Sequence, residues 1–188
     1  MYSGVASIIF DLLLVVASAF WVMLSAYVPN SAAAAVGGGP AIDGGLTWRD
    51  GRRILGDGKT IRGFFGGIAC GCLIGGIQIY AQGFAPFSAL PHLSIIPVFL
   101  LATGSLVGDM VKSFFKRRAG IERGGKWPLV DQYDFVAGAL VFLLIGDTSF
   151  ALTTITLPVL IAILIITPVL HRVVNIIGYK IGVKDVPW

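Results

Sequence analysis

Five apolar stretches dominate this chain, lying near 5–28, 61–82, 90–111, 133–150 and 153–178. Each approaches the ~20 helical residues that cross a hydrocarbon core. Helices apolar on every side must be buried in protein or surrounded by lipid. A chain of 188 residues has too small an interior to bury five of them. With 56% hydrophobic and only 13% charged residues, an all-α integral membrane protein is predicted. No polar linker divides it, so 1–188 reads as a single domain. The first run lacks a basic leading segment and exceeds an export core in length, which marks it as a retained span. The fourth is short, with a tight connection expected at Asp147-Thr148-Ser149 before the fifth.

Charge sets the expected orientation. All fourteen Lys and Arg residues fall in or beside Arg49–Arg62, Lys112–Lys126 and Arg172–Lys184, and the N-terminus, 83–89 and 147–152 carry none. Basic residues favour the cytoplasmic face, and five spans put the termini on opposite sides. The N-terminus is therefore expected outside, with the C-terminus and all three basic segments cytoplasmic. Cations that flank spans make no solvated patch, so the net charge of +4 does not indicate nucleic acid. Gly63, Gly67, Gly71 and Gly75 form a small-residue stripe for close helix packing. The Ala32–Ala35 run is expected to continue the first helix beyond Pro29, while Pro158 and Pro168 invite kinks in the last. Trp21, Trp48, Trp127 and Trp188 read as interfacial anchors. Cys70 and Cys72 are too few for a metal quartet or a disulfide framework and read as small packing residues.

The chemistry concentrates between Gly104 and Phe135. On a helix, Ser105, Asp109, Lys112 and Lys116 share one polar stripe on an otherwise apolar segment. An acid facing a bundle interior is a functional candidate by default. Asp131 and Asp134 follow a Pro/Gly-containing loop, at a spacing that puts both at the start of one helix; capping is the alternative role for one of them. These three Asp residues are hard oxygen donors, and Mg²⁺ takes one or two carboxylates plus substrate phosphates and water. The neighbouring Lys116, Arg117 and Arg118 suit polyphosphate chemistry at a membrane surface. The long 29–59 loop carries Asp-Gly turns at 43–44, 50–51 and 57–58 and ends in Gly58-Lys59-Thr60. Its glycines admit an anion to backbone amides, and Lys59, Thr60 and Arg62 add donors. Arg53 stands where a P-loop needs Gly, so this is not one. His171, Asn175 and Tyr179 recur at four-residue spacing near the basic end of the last span.

Several of these segments are similar to the archaeal CDP-archaeol synthases, within the cytidylyltransferases that include the CDP-diacylglycerol synthases. The matching residues are Ser105 through Gly120, Asp131 and Asp134, Gly56 through Gly63, Asn30, and Pro40-Ala41-Ile42-Asp43. His171, Asn175 and the ending Lys184-Asp185-Val186-Pro187-Trp188 complete them. Together they cover most of the cytoplasmic face, whereas the spans match mainly in hydrophobicity. The bacterial relatives carry Pro-Gly-His-Gly-Gly and an Asp-Arg-x-Asp ending in the corresponding loop. Here Leu129 follows Pro128, Gln132 replaces the Arg, and Lys112 replaces an acidic residue, which favours the archaeal branch.

The resemblance implies an enzyme of the cell membrane, with its site on the cytoplasmic face. It implies transfer of CMP from CTP to 2,3-di-O-geranylgeranyl-sn-glycerol 1-phosphate, an isoprenoid ether-lipid phosphate, giving CDP-archaeol and pyrophosphate with Mg²⁺. Asp109, Asp131, Asp134 and Lys116 would be catalytic, the three Asp holding the metal. Lys59, Thr60, Arg62, Ser105, Lys112, Arg117, Arg118, His171 and Asn175 would bind the substrates. Two other classes are weighed beside it. A small transporter would show polar groups at mid-membrane and an internal repeat, and neither is evident. A CDP-alcohol phosphotransferase would need Asp-x-x-Asp-Gly-x-x-Ala-Arg, but Phe135 follows Asp134.

The orientation is testable in a background lacking Cys70 and Cys72. Cysteines introduced at Gly39 and Gly124 are expected to react with an impermeant thiol reagent only from the cytoplasm, and those at Gln82 and Ser149 only from outside. Labelling of Gly39→Cys and Gly124→Cys from opposite faces would end the five-span arrangement.

Overall fold

The structure, a computed structural model, describes residues 2–183, 186 and 187. Among these, six helices follow in order: α1 (Tyr2–Val36), α2 (Ile61–Ala81), α3 (Ile95–Arg118), α4 (Val130–Gly146), α5 (Thr148–Thr154) and α6 (Leu157–Lys180). No strand occurs among the described residues; the loop between α1 and α2 holds isolated bridges, Ala41–Thr60 and Thr47–Arg53. The protein is all-α, as expected. Four helices are long and apolar enough to cross a membrane, over Gly4–Val36, Ile61–Ala81, Ile95–Arg118 and Leu157–Lys180. The fourth apolar run forms α4, only 17 residues long.

Four details differ from the expectation, each for a local reason. The third helix begins at Ile95 rather than near 90 and continues to Arg118 rather than ending near 111. Leu90 and Pro91 lie in the preceding connection, and Lys116, Arg117 and Arg118 are good helix formers that favour a helix C-terminus. The 147–149 connection is not a bare turn. Asp147 accepts a hydrogen bond from the Phe150 amide at 3.1 Å and so caps the seven-residue α5. Pro158 occupies the first turn of α6, where a missing N–H costs nothing, so it starts that helix instead of kinking it. The first helix does run through Pro29 and the Ala32–Ala35 segment to Val36.

Glycine determines how close the helices come. The α2 stripe is buried as expected, and an added Cβ at Gly71 would lie 2.8 Å from the Ser25 carbonyl of α1 and from Ala102 of α3. Gly104 and Gly108 of α3 face Gly138 of α4 in the same way; a Cβ at Gly138 would stand 2.7 Å from Gly108 Cα. The core between helices is small and aliphatic: Val22 and Met23 of α1, Leu101 of α3, Ala139 and Leu143 of α4, and Ile163 of α6. Large apolar side chains cover the outside instead, among them Leu13, Ile95, Ile145 and Ile165, as lipid permits and water does not. Trp21 departs from the anchor reading. It is buried, donates from Nε1 to the Pro91 carbonyl at 3.2 Å, and stacks on Phe87 at 5.3 Å. Trp48 is half exposed, its ring edge-on to Phe114. Trp188 lies outside the described residues, as do Lys184 and Asp185 of the matched ending.

Gly138→Ala is expected to destabilise the bundle by about 1–3 kcal/mol, the usual range for overpacking a close contact. Gly76→Ala, whose added Cβ meets nothing within 4 Å, is the control and should not lower Tm. Thermal unfolding in detergent measures both.

Candidate functional site

The Gly104–Gly108–Gly138 contact has a chemical result. An added Cβ at Gly108 would lie 3.1 Å from the Asp134 backbone carbon, so the first turns of α4 press directly on the polar stripe of α3. Three carboxylates and three ammonium groups meet there. Lys112 Nζ lies 2.9 Å from Asp109 Oδ1, 2.8 Å from Asp134 Oδ2 and 3.5 Å from Asp131 Oδ1. Lys116 Nζ reaches both oxygens of Asp131, at 2.8 and 3.0 Å, and donates to the Gly125 carbonyl at 2.5 Å. Lys59, from the end of the long loop, pairs with Asp109. Asp131 also accepts the Trp127 amide at 2.7 Å, which fastens the loop before α4 to this cluster. That contact, rather than capping, is its backbone role.

The cluster lines a cavity of about 570 Å³ bordered by α1, α3, α4, α6 and the loops. Phe20, Leu24 and Val28 of α1 and Leu170 and Val174 of α6 line an apolar portion of the same space. His171 and Asn175 line it too: the Asn175 carboxamide nitrogen donates to the His171 ring, 3.2 Å from Nε2, and that ring stacks on Phe135. Two polar ties hold α6 to α1 and α4. The Tyr27 hydroxyl bonds to Thr167 Oγ1 at 3.0 Å, and the Tyr133 hydroxyl donates to the Leu164 carbonyl at 2.8 Å. A second, smaller cavity of about 80 Å³ adjoins it and shares Asn30, Ala34, Lys59 and Asp109.

Eight of the residues singled out by sequence thus share one chamber: Asp109, Asp131, Asp134, Lys59, Lys112, Lys116, His171 and Asn175. Five do not line it. Thr60 lines the smaller cavity and caps α2 by accepting the Gly63 amide at 3.1 Å. Arg62 is spent on the end of α1, donating to the Val36 carbonyl at 2.7 Å and to that of Gly37. Ser105 is fully buried and donates to the Ala102 carbonyl at 2.9 Å. The Arg117 carbonyl receives Arg52, and Arg118 ion-pairs with Asp50 at 2.8 Å while donating to the Arg53 carbonyl at 2.6 Å. Sequence reasoning gave no role to Tyr27 or Ser31, which line the chamber, and took Asn30 only as a matching position. The Asn30 Oδ1 is buried and accepts no hydrogen bond from protein. Its polarity beside Pro29 at the end of an apolar run was the available signal.

Asp43 organises the loop that delivers Lys59. Its side chain, 1% exposed, accepts from Arg53 at 2.6 Å and from the Leu55 and Gly56 amides at 2.9 Å each. Burial works against the charge, but Arg53 and the Gly56, Leu55 and Gly45 amides outweigh it and hold the carboxyl well below the usual range.

The carboxylates of α3 and α4 have the donor chemistry of a Mg²⁺ site. Their meeting point holds the Lys112 ammonium, and among the described residues no three acidic, His or Cys side chains form a ready metal site. The donors therefore fit a hard cation in kind, with a lysine standing among them.

The chain is similar to known proteins. A family model described as CarS-like, CDP-archaeol synthase, matches residues 9–188. The CDP-archaeol synthase of Methanospirillum hungatei is 61% identical over 168 residues, covering 88% of this chain and 100% of the relative. That of Methanosarcina mazei is 49% identical over 178 residues, with the same coverage. A solved structure, described as an intramembrane enzyme for archaeal membrane lipids biosynthesis, is 38% identical with a TM-score of 0.70. The alignment covers 84% of this chain and 92% of that one.

Asp43 supplies a pH test. A carboxyl more acidic folded than unfolded contributes stability that is complete above its unfolded value, about 3.9, and is lost as pH falls below it. Asp43→Asn should therefore lower Tm by several degrees at pH 7. The gap from the native protein should narrow progressively below about pH 4. A gap independent of pH would show that the charge of Asp43 does not hold the loop.

Proposed function

The chain belongs to the CDP-archaeol synthase family, and from that premise we propose how its chamber carries out the reaction. It is a CTP-dependent cytidylyltransferase of the membrane that forms CDP-archaeol. The observation that carries the reading is a single cavity lined both by three Asp and three Lys and by apolar side chains of α1 and α6. CTP takes the charged part. The lipid acceptor, 2,3-di-O-geranylgeranyl-sn-glycerol 1-phosphate, presents its phosphate there while its isoprenoid chains follow the apolar side.

An oxygen of the lipid phosphate attacks the α-phosphorus of CTP. The bond from that phosphorus to the bridging oxygen breaks, and pyrophosphate leaves with the electron pair. The attacking phosphate is already anionic at neutral pH, so no strong base is needed. The difficulty is bringing two anions together and stabilising the departing one. Lys59, Lys112 and Lys116 are placed to exchange carboxylate for phosphate partners as CTP enters. Asp109, Asp131 and Asp134 are proposed to hold Mg²⁺, which when bound supplies charge neutralisation at the phosphates. His171 and Asn175 bound the chamber on the α6 side and are assigned to substrate contact. Arg62 and Arg118 are assigned instead to holding the surrounding loops.

The finer topology belongs to the same proposal. Taking α4 as a fifth span puts the N-terminus outside and the chamber at the cytoplasmic surface, where CTP is available. What supports this is the confinement of the basic residues to the segments joined at that end.

Asp134→Asn keeps size and removes the charge. Purified variant that elutes like the parent on gel filtration should lose about two orders of magnitude or more in CDP-lipid formation, each tenfold being about 1.4 kcal/mol. The Asp109→Asn/Asp134→Asn double variant should be little worse than either single one, because groups acting as a unit are non-additive. Labelled CTP with the lipid phosphate, followed by pyrophosphate release, is the assay. Near-parental turnover by Asp134→Asn would remove it from the site.

A further inference from the structure

Lys112 stands apart from its neighbours in how its charge is used. Lys59 pairs with Asp109, and Lys116 pairs with Asp131. Lys112 alone of the three lies within ion-pair distance of all three carboxylates, at 2.8, 2.9 and 3.5 Å. Its side chain is 13% exposed, and that of Asp134, which ion-pairs with Lys112, is 4% exposed. Three carboxylates and three ammonium groups sum to zero, so the cluster as it stands is neutral. A divalent ion added to it would leave two uncompensated positive charges in an apolar bundle, where each is expensive. The ion and the ammonium also need the same oxygen atoms. Lysine suits an exchangeable role: it is a compact charge on a flexible stem, with no fixed fork geometry to preserve.

We infer that Lys112 is the resident counter-ion of the carboxylate cluster, and that a divalent cation binds by displacing its ammonium from Asp109, Asp131 and Asp134. The displaced ammonium then needs new oxygen partners, and a nucleoside triphosphate supplies them. Tight metal binding is thereby tied to nucleotide binding. The inference rests on the proposal that these three Asp residues hold the metal, and concerns what occupies their place beforehand.

Mn²⁺ is the probe, followed by electron paramagnetic resonance on the detergent-purified full-length protein without nucleotide. Native protein should bind it weakly. Lys112→Met, which makes the cluster net negative, should bind about tenfold tighter or more, while Lys112→Arg, which keeps the charge, should stay weak. A second measurement needs no variant. Acylation of Lys112 in native protein by an amine reagent, read by mass spectrometry, should rise as Mn²⁺ saturates, because the ammonium leaves its carboxylates. Equal Mn²⁺ affinity in native and Lys112→Met, or unchanged acylation while Mn²⁺ is bound, would overturn the inference and leave the metal assignment standing. Failure of native protein and both variants to hold Mn²⁺, even with a non-reactive methylene-bridged CTP analogue, would overturn the metal assignment as well.

Discussion

Charge balance in a medium that tolerates little net charge is the constraint on which the site depends. Asp134 is almost wholly enclosed, and Asp109 and Lys112 nearly so. A lone buried carboxylate or ammonium in such surroundings would abandon its charge or its position. Together they offset one another, because each has an opposite partner within ion-pair distance. The pairing is not optional ornament on a bundle that would stand without it. The C-terminal half of α3, the start of α4 and a loop end are brought to one place by groups that cannot be separated without leaving a charge uncompensated.

That electrostatic arrangement requires unusually close helices, and close helices require missing side chains. Apolar burial against lipid offers little driving force, since lipid tails are as apolar as leucine, so packing depends on backbone approach. Gly104, Gly108 and Gly138 let α3 and α4 touch where the chemistry is, and the α2 glycines do the same away from it. The reactive end and the packed middle of the bundle are thus consequences of one device.

The sequence made the class and the reactive stripe plain because both are written in short-range patterns. Hydropathy revealed the long apolar helices, and three- and four-residue spacing on α3 brought Asp109, Lys112 and Lys116 to one face as expected. What was not legible was how cations would be divided between chemistry and scaffolding. Arg62 and Arg118 look alike in sequence to Lys59 and Lys116, yet they donate to main-chain carbonyls at the end of α1 and within the loop. Backbone acceptors leave no trace in residue identity. The third helix boundary was misplaced for a related reason: hydropathy falls at Lys112, but helix propensity does not. Asp43 lay within a segment matched by resemblance, but its partners at 53, 55 and 56 meet it only through the fold of the loop.

The join between the long loop and the end of α3 is reciprocal. Arg52 donates to the Arg117 and Arg118 carbonyls at 3.1 and 2.8 Å, and Arg118 returns bonds to the Arg52 and Arg53 carbonyls at 3.2 and 2.6 Å. Every acceptor in that exchange is main chain, which any amino acid provides. Those four bonds are therefore specified by two side chains, beside the Arg118–Asp50 ion pair and the Trp48–Phe114 ring contact, and position 117 can drift in sequence without loosening them. Inheritance of this contact demands little information, although it fixes where the lysine-bearing loop meets the lysine-bearing helix.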